Sequence, residues 1–517
     1  MLRNRYHRAG LGGHFVRTVR VVATCLCGLL VLGAAVAAAE PPVPPEIGGV
    51  VPLSSQVQHL HFKYGPIPVE PGQNLILAGP VTIEKPLYDG YVVGFRPNLV
   101  RADGSVPPIE QIHLHHAVWL NLSRRDATWP GSPGERFAAS GEEKTRFEMP
   151  PGYGYPVKGS DVWVLNYMVH NETPNPDVVW ITYDVDFIPA TSPLAKHIIP
   201  VRPIWMDVAN QRAYPVFDVL RGSGRHGRFT YPDGSPRAPR VNTWTVDRPG
   251  TLVWAGGHLH PGGLWDDLKV QRGHRKRLIF RSRAHYWDPN GPVSWDMAMT
   301  VTRRNWRVAL KAGDKLSISA TYETRLASWY ESMGIMILWM APPQRGVPDP
   351  FRDPATIQTA GYLTHGHLPE ASHYGGASTG LPDPRTLPAG GTVGDNIGIS
   401  AFRYLPGDLT LPGGFQDPPV FHTGQPIVFG NLDATAQIFH TITACRQPCT
   451  GSTGISYPLA NGPVNFDSGE LGYGPPGLSA AKNQGQWALA TASLKPGTYT
   501  YFCRIHPFMR GAFRIVK

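Results

Sequence analysis

A chain of 517 residues is too long for one hydrophobic core and divides into about three domains. Its 57 glycines and 53 prolines, with charged residues at only 17%, suit short strands joined by turns and exclude a helical bundle. The formal charge of +10 falls to about +5 once five N-terminal arginines are set aside, too little for a nucleic-acid partner on a chain this long.

Those arginines (Arg3, Arg5, Arg8, Arg17 and Arg20) precede an apolar run over residues 21–39 that ends in three alanines. A charged stretch, an apolar stretch and a small-residue end predict a secretory signal peptide over 1–39, with Glu40 as the mature start. The expected location is secreted or periplasmic, without stable membrane insertion after cleavage. The apolar run is also long enough for an uncleaved anchor, and that alternative stays open. Residues 40–55 form a Pro-rich leader.

From 56 to 195 short β-prone runs alternate with turns, as at Tyr91-Val92-Val93-Gly94-Phe95. A second such block covers 196–340 and contains the wholly apolar run Ile335-Met336-Ile337-Leu338-Trp339. Pro and Gly dominate 341–391, a linker, and a third β-rich block fills 392–517. The predicted fold class is all-β, with the first two blocks forming consecutive antiparallel β-sandwiches.

The histidines are not evenly spread. Ile112-His113-Leu114-His115-His116 and Val169-His170 lie in the first block, Gly257-His258-Leu259-His260-Pro261 in the second, with Met333 just before the apolar strand. Residues i and i+2 of a strand share a face, so His258 and His260 can grip one ion. Adjacent His115 and His116 can do so only at a strand end or bulge. His59 with His61, and His113 with His115, share the i, i+2 spacing but are not read as sites. In the linker, His365, His367 and His373 are read as residues pinned against a sandwich, with a further metal site as the alternative.

In the third block a turn and a β-rich run lead into Cys503-Arg504-Ile505-His506-Pro507-Phe508-Met509. A thiolate, an imidazole and a thioether so close together, with His440 from a distant strand, make the ligand set of a type 1 blue-copper site. Cys445 and Cys449 are expected to close a short disulfide in an exported protein, which leaves Cys503 as the unpaired thiol. This stretch resembles the cupredoxins, and its short Cys-x2-His-x2-Met loop is amicyanin-like. The resemblance implies a Greek-key β-sandwich over 392–517 with copper on His440, Cys503, His506 and Met509.

The order His-His, lone His, His-x-His, Met over residues 56–340 resembles the copper type II ascorbate-dependent monooxygenases, the peptidylglycine α-hydroxylating and dopamine β-monooxygenase family. That resemblance implies two consecutive jelly-roll-like sandwiches with one type 2-like copper each. His115, His116 and His170 would hold the electron-supplying copper, and His258, His260 and Met333 the copper that meets dioxygen. It also implies ascorbate as reductant and a small-molecule or peptide substrate. Three features depart from these families: residues 56–340 contain no cysteine, Pro261 follows His260, and Thr441 follows His440 where Asn is frequent.

The expected function is an exported copper monooxygenase that hydroxylates a C–H bond, fed with electrons through its blue-copper domain or by a redox partner. The alternative is a non-catalytic copper-binding electron carrier or copper-handling protein. A multicopper oxidase or nitrite reductase is disfavoured, because there the ligand Cys is flanked by His, whereas Cys503 is flanked by Phe502 and Arg504.

Overall fold

The computed structural model describes residues 56–72, 78–109, 111–141, 143–212, 214–287, 291–292, 295–354, 357–359, 361–368, 380–391, 395–445, 466–473, 484–506 and 508–517. The predicted signal peptide, the leader, His373 and the Cys445–Cys449 pairing lie outside the described residues or side chains. Among the described residues no helix is long and apolar enough to cross a membrane.

The chain is all-β, as its turn-rich composition predicts. In the first block, one sheet runs Gln58–Val69, Asp177–Pro189, Gly90–Arg101, Tyr153–Val157, Ile199–Pro200. A four-stranded sheet runs Ala78–Thr82, Trp163–Asn171, Ile112–Asn121, Glu135–Gly141. Side chains of both sheets meet in one core that includes Val92, Phe95, Trp119, Phe137, Leu165 and Val185. Alternation along Gly90–Arg101 accounts for this: its buried and half-buried residues largely alternate, as expected of a strand with one face inward.

The second block is built differently. Most of its strands belong to one continuous 11-stranded sheet, which also takes in Tyr362–Leu363, while Phe217–Val219 and Trp329–Ser332 pair separately. From Arg202–Asp207 the path runs through Gly334–Ala341, Gly250–Leu259, Met297–Val301, Arg275–Tyr286, Gly263–Arg272 and Lys315–Glu323 to Arg228–Tyr231. The sheet folds back so that Gly263–Arg272 and Lys315–Glu323 lie against Gly334–Ala341. The basic run at His274–Arg277 forms the exposed turn and strand start of a hairpin.

The strand Gly334–Ala341 explains its own sequence. Ile335, Ile337, Trp339 and Ala341 pack into the first block's core, while Met336, Leu338 and Met340 fill the core of the second. A strand that is a wall between two cores must be apolar on both faces. Each such side chain contributes about 1.5–3 kcal/mol when fully buried.

Part of the predicted linker is fastened down. Tyr362–Leu363 pairs with Met297–Val301, and Phe351 is buried in the second block's core. The C-terminal block consists of two four-stranded sheets around a separate core that contains Cys503 and Met509.

Candidate metal centres

Near the C-terminus, Gly497–Phe502 ends at Cys503, and the following loop returns into Arg510–Val516. Cys503 N–H donates to Met509 O (3.3 Å) and Met509 N–H to His506 O (2.9 Å), which closes the loop. Cys503 Sγ lies 3.9 Å from His440 Nδ1 and 3.7 Å from His506 Nδ1, and the two Nδ1 atoms are 3.2 Å apart. Met509 is fully buried in the same core. Burial alone would raise the thiol's pKa, but bonds to both imidazoles outweigh it and hold Cys503 well below its ordinary value. A thiolate is the ligating form.

The surroundings orient these ligands. Backbone N–H groups of Thr441 and His506 donate to Sγ at 3.3 and 3.4 Å, and Asp433 Oδ2 sits 3.0 Å from His440 Nε2. A carboxylate on the far nitrogen fixes ring and tautomer for a metal on the near one. Thr441, which stands where Asn is frequent, still bridges the loops, because its Oγ1 accepts from Arg504 N–H at 2.8 Å.

Arg504 docks the block. It is fully buried, donates to Asp467 Oδ2 (2.6 Å) and to the carbonyl of Ser328 in the second block, and lies over the Trp329 and Tyr330 rings.

The second centre is assembled from distant parts of the chain. The strand Ile112–Asn121 is bulged between Leu114 and His116, and His115 is the extra residue. That bulge is the geometry an adjacent His-His pair needs to address one region. His115 meets the rings of His170 (4.3 Å between centroids) and His260 (4.5 Å). His258 and His260 are 5.1 Å apart, so the histidines of both blocks form one continuous cluster. Trp295 caps it, with its ring 4.8 Å from His113 and 5.9 Å from His260.

Among the described residues, two groups of three bring one ligand atom each within 4.8 Å of one another: His440, Cys503 and His506, and His113, His170 and Glu172. His170 is thus grouped with His113 and Glu172, and His115 and His116 are not in that trio.

Burial, then repulsion between neighbouring rings, holds His115, His170 and His260 well below their ordinary pKa and His116 near 3. Neutral imidazoles carry the lone pairs that ligate a metal. Among the described residues, His116 Nδ1, His258 Nε2 and His260 Nε2 are buried without a hydrogen-bond partner. A buried polar atom left unsatisfied costs about 1–3 kcal/mol. Three such atoms on residues of this cluster fit a bound cation, and the donor type fits copper.

Sequence reasoning missed the residues that hold this cluster. Glu143 is fully buried and accepts from His258 Nδ1 at 2.7 Å, across the boundary between blocks. Burial would raise its pKa, but His258 and Thr145 hold it below the usual value. The Tyr322 hydroxyl accepts from the N–H groups of His260 and Met333, both at 3.1 Å, and donates to Met333 O at 2.6 Å. It joins the His-x-His strand end to the start of the methionine strand. Gly262 has φ +89°, and a Cβ there would lie 2.3 Å from Trp329, so the Pro261-Gly262 turn is required by a close approach. Neither Glu143 nor Tyr322 carries a local sequence signal.

His59, His61, His365 and His367 have ordinary partners. His59 and His61 meet Asp186 and Asp184 across a strand pair, both at 2.7 Å. His365 bonds to the carbonyl of Met297 and His367 to Asp296, which pins the linker to the second block.

Beside the cluster lies a cavity of ≈ 260 Å³. His116, His258 and Met333 form part of its wall, and Val118, Leu120, Ile335, Ile337 and Trp205 make it largely apolar.

No known family model matches the chain. It is similar to two fungal proteins described as probable copper-dependent oxygenases. One, clz3 of Cochliobolus lunatus, is 22% identical over 240 residues, 44% of this chain and 69% of the relative. The other, M1 of a Phoma species, is 22% identical over 301 residues, 57% of this chain and 69% of the relative. Among solved structures, a copper-containing nitrite reductase from Thermus scotoductus aligns over 52% of this chain and 58% of its own, at 13% identity and a TM-score of 0.15. The capsid protein P2 of bacteriophage PM2 aligns over 56% of this chain and 100% of its own, at 10% identity and a TM-score of 0.23. Superpositions this loose carry no argument about fold or activity.

Proposed function

We propose that this chain is an exported copper-dependent oxygenase that inserts oxygen into a C–H bond of a substrate held in the apolar cavity. Copper-dependent redox function is supported by the two relatives, both described as copper-dependent oxygenases. The monooxygenase reading rests on one observation: the cavity of ≈ 260 Å³ opens directly onto His116, His258 and Met333. An electron carrier has no need of an apolar chamber against its ligands, whereas a C–H substrate does.

His115, His116, His170, His258 and His260, with Met333, would supply the ligands of two type 2-like coppers. His440, Cys503, His506 and Met509 would supply those of the type 1 copper. Bound copper supplies one-electron chemistry and dioxygen activation. The chain's own residues do the rest. Glu143 holds His258 through Nδ1 and leaves Nε2 available, Tyr322 sets His260 and Met333 in register, and the largely apolar cavity wall limits water. Arg504 seats the C-terminal block against the second block, and electrons from ascorbate or a redox partner enter through that block.

Copper-loaded protein tests this by electron paramagnetic resonance and by ascorbate-driven O2 uptake. Type 1 and type 2 signals together, with uptake abolished in Met333→Ala, sustain the proposal. A type 1 signal alone, without uptake, would make the protein an electron carrier.

A further inference from the structure

His113 and Glu172 have no place in the oxygenase ligand sets, yet they meet at a junction of the first and C-terminal blocks. Glu172 follows the strand Trp163–Asn171 and is 4% exposed. Its Oε1 is 3.5 Å from His170 Nδ1 and 4.0 Å from His113 Nε2. Its Oε2 is 3.7 Å from His506 Nε2 and accepts no hydrogen bond among the described residues. No lysine or arginine among the described residues forms an ion pair with it. A carboxyl group taken this far out of water either stays protonated or needs a compensating positive charge.

The facing imidazole sharpens the point. His113 Nδ1 is 2.8 Å from the carbonyl oxygen of Ile109 and must donate to it, so in the neutral ring Nε2 turns its lone pair towards Glu172. A lone pair and a carboxylate oxygen repel each other unless a proton or a metal ion lies between them. Separations of 3.5 and 4.0 Å are too long for hydrogen bonds. They suit ligands sharing one ion, since two atoms each about 2.1 Å from a tetrahedral centre stand about 3.4 Å apart. The blue-copper ligands of this chain show the same spacing, 3.2 to 3.9 Å. A ligating histidine also typically donates its other N–H to a carbonyl or carboxylate, as His113 does.

We infer that His113, His170 and Glu172 form a metal site of their own, which takes a divalent first-row cation of the copper and zinc class. His170 serves it through Nδ1, and holding a copper of the histidine cluster through Nε2 as well would make its ring a bridging imidazolate. The second oxygen of Glu172 lies 3.7 Å from Nε2 of His506, so this site and the blue-copper site stand side by side. The site touches the proposed oxygenase function only in sharing His170, and O2 uptake tests that function separately.

Crystals of the full chain loaded with copper and zinc, measured on both sides of each metal's absorption edge, test the site directly. An anomalous peak within bonding distance of His113 Nε2, His170 Nδ1 and Glu172 is expected, and the edge at which it appears distinguishes copper from zinc. An occupied blue-copper site beside an empty junction would overturn the inference. In solution, His113→Gln should lower bound metal by about one equivalent while the blue colour persists. An unchanged metal content in a blue, folded variant would equally overturn it.

Discussion

The two metal-ligand regions are organised in opposite ways. At the C-terminal site, three of the four candidate ligands come from seven consecutive residues, and the loop closes on itself through Cys503 N–H and Met509 O. The histidine cluster draws on positions from His113 to Met333, and its connections run between blocks, as in the Glu143–His258 bond. A locally encoded site is insensitive to how distant parts of the chain pack. A site assembled across a boundary depends on that boundary.

Substitutions in each region sharpen this contrast. The largest expected effect is Cys503→Ser, which should abolish the blue absorption and leave any type 2 signal intact. Loss of both signals would mean that the regions are not independent. Met333→Ala should do the reverse, keeping the colour and stopping O2 uptake, as oxygen-electrode traces of the two variants side by side would show.

Arg504→Met removes one partner of a buried ion pair and should destabilise the docked C-terminal block by about 3–5 kcal/mol. Chemical denaturation followed through the blue band measures this, and a midpoint equal to wild type would remove Arg504 from docking. Glu143→Gln should lower metal affinity at His258 by about 10–100-fold through loss of ring orientation. Competitive chelation, with the type 1 band as an internal control, reads that change. The smallest effect is expected for Thr441→Val, where a single loop-bridging hydrogen bond is worth about 1 kcal/mol. A shift in thermal midpoint with unchanged colour is the expected result.

What could be read from the sequence follows the same division. At the C-terminus the candidate ligands could be grouped from the sequence, because the loop spacing returns His506 and Met509 to Cys503. The all-β class was legible from turn residues and from alternation such as that along Gly90–Arg101. In the larger blocks, candidate histidines could be named, but not their neighbours. Nothing local foretells that a bulge at His115 swings one ring towards His260. Nor does it foretell that His113 pairs in register with His170 and faces Glu172. Glu143 and Tyr322 act on residues more than a hundred and about sixty positions away, or just eleven, through folds that no spacing rule encodes.

The strand Gly334–Ala341 has a consequence for motion. Its side chains are shared between two cores, so separating the blocks would expose Ile335, Ile337 and Trp339 together. At about 1.5–3 kcal/mol for each such side chain, opening there would cost a large share of a domain's net stability. Opening the two blocks at this strand is therefore costly, and the histidine cluster that spans them is held together by the same packing.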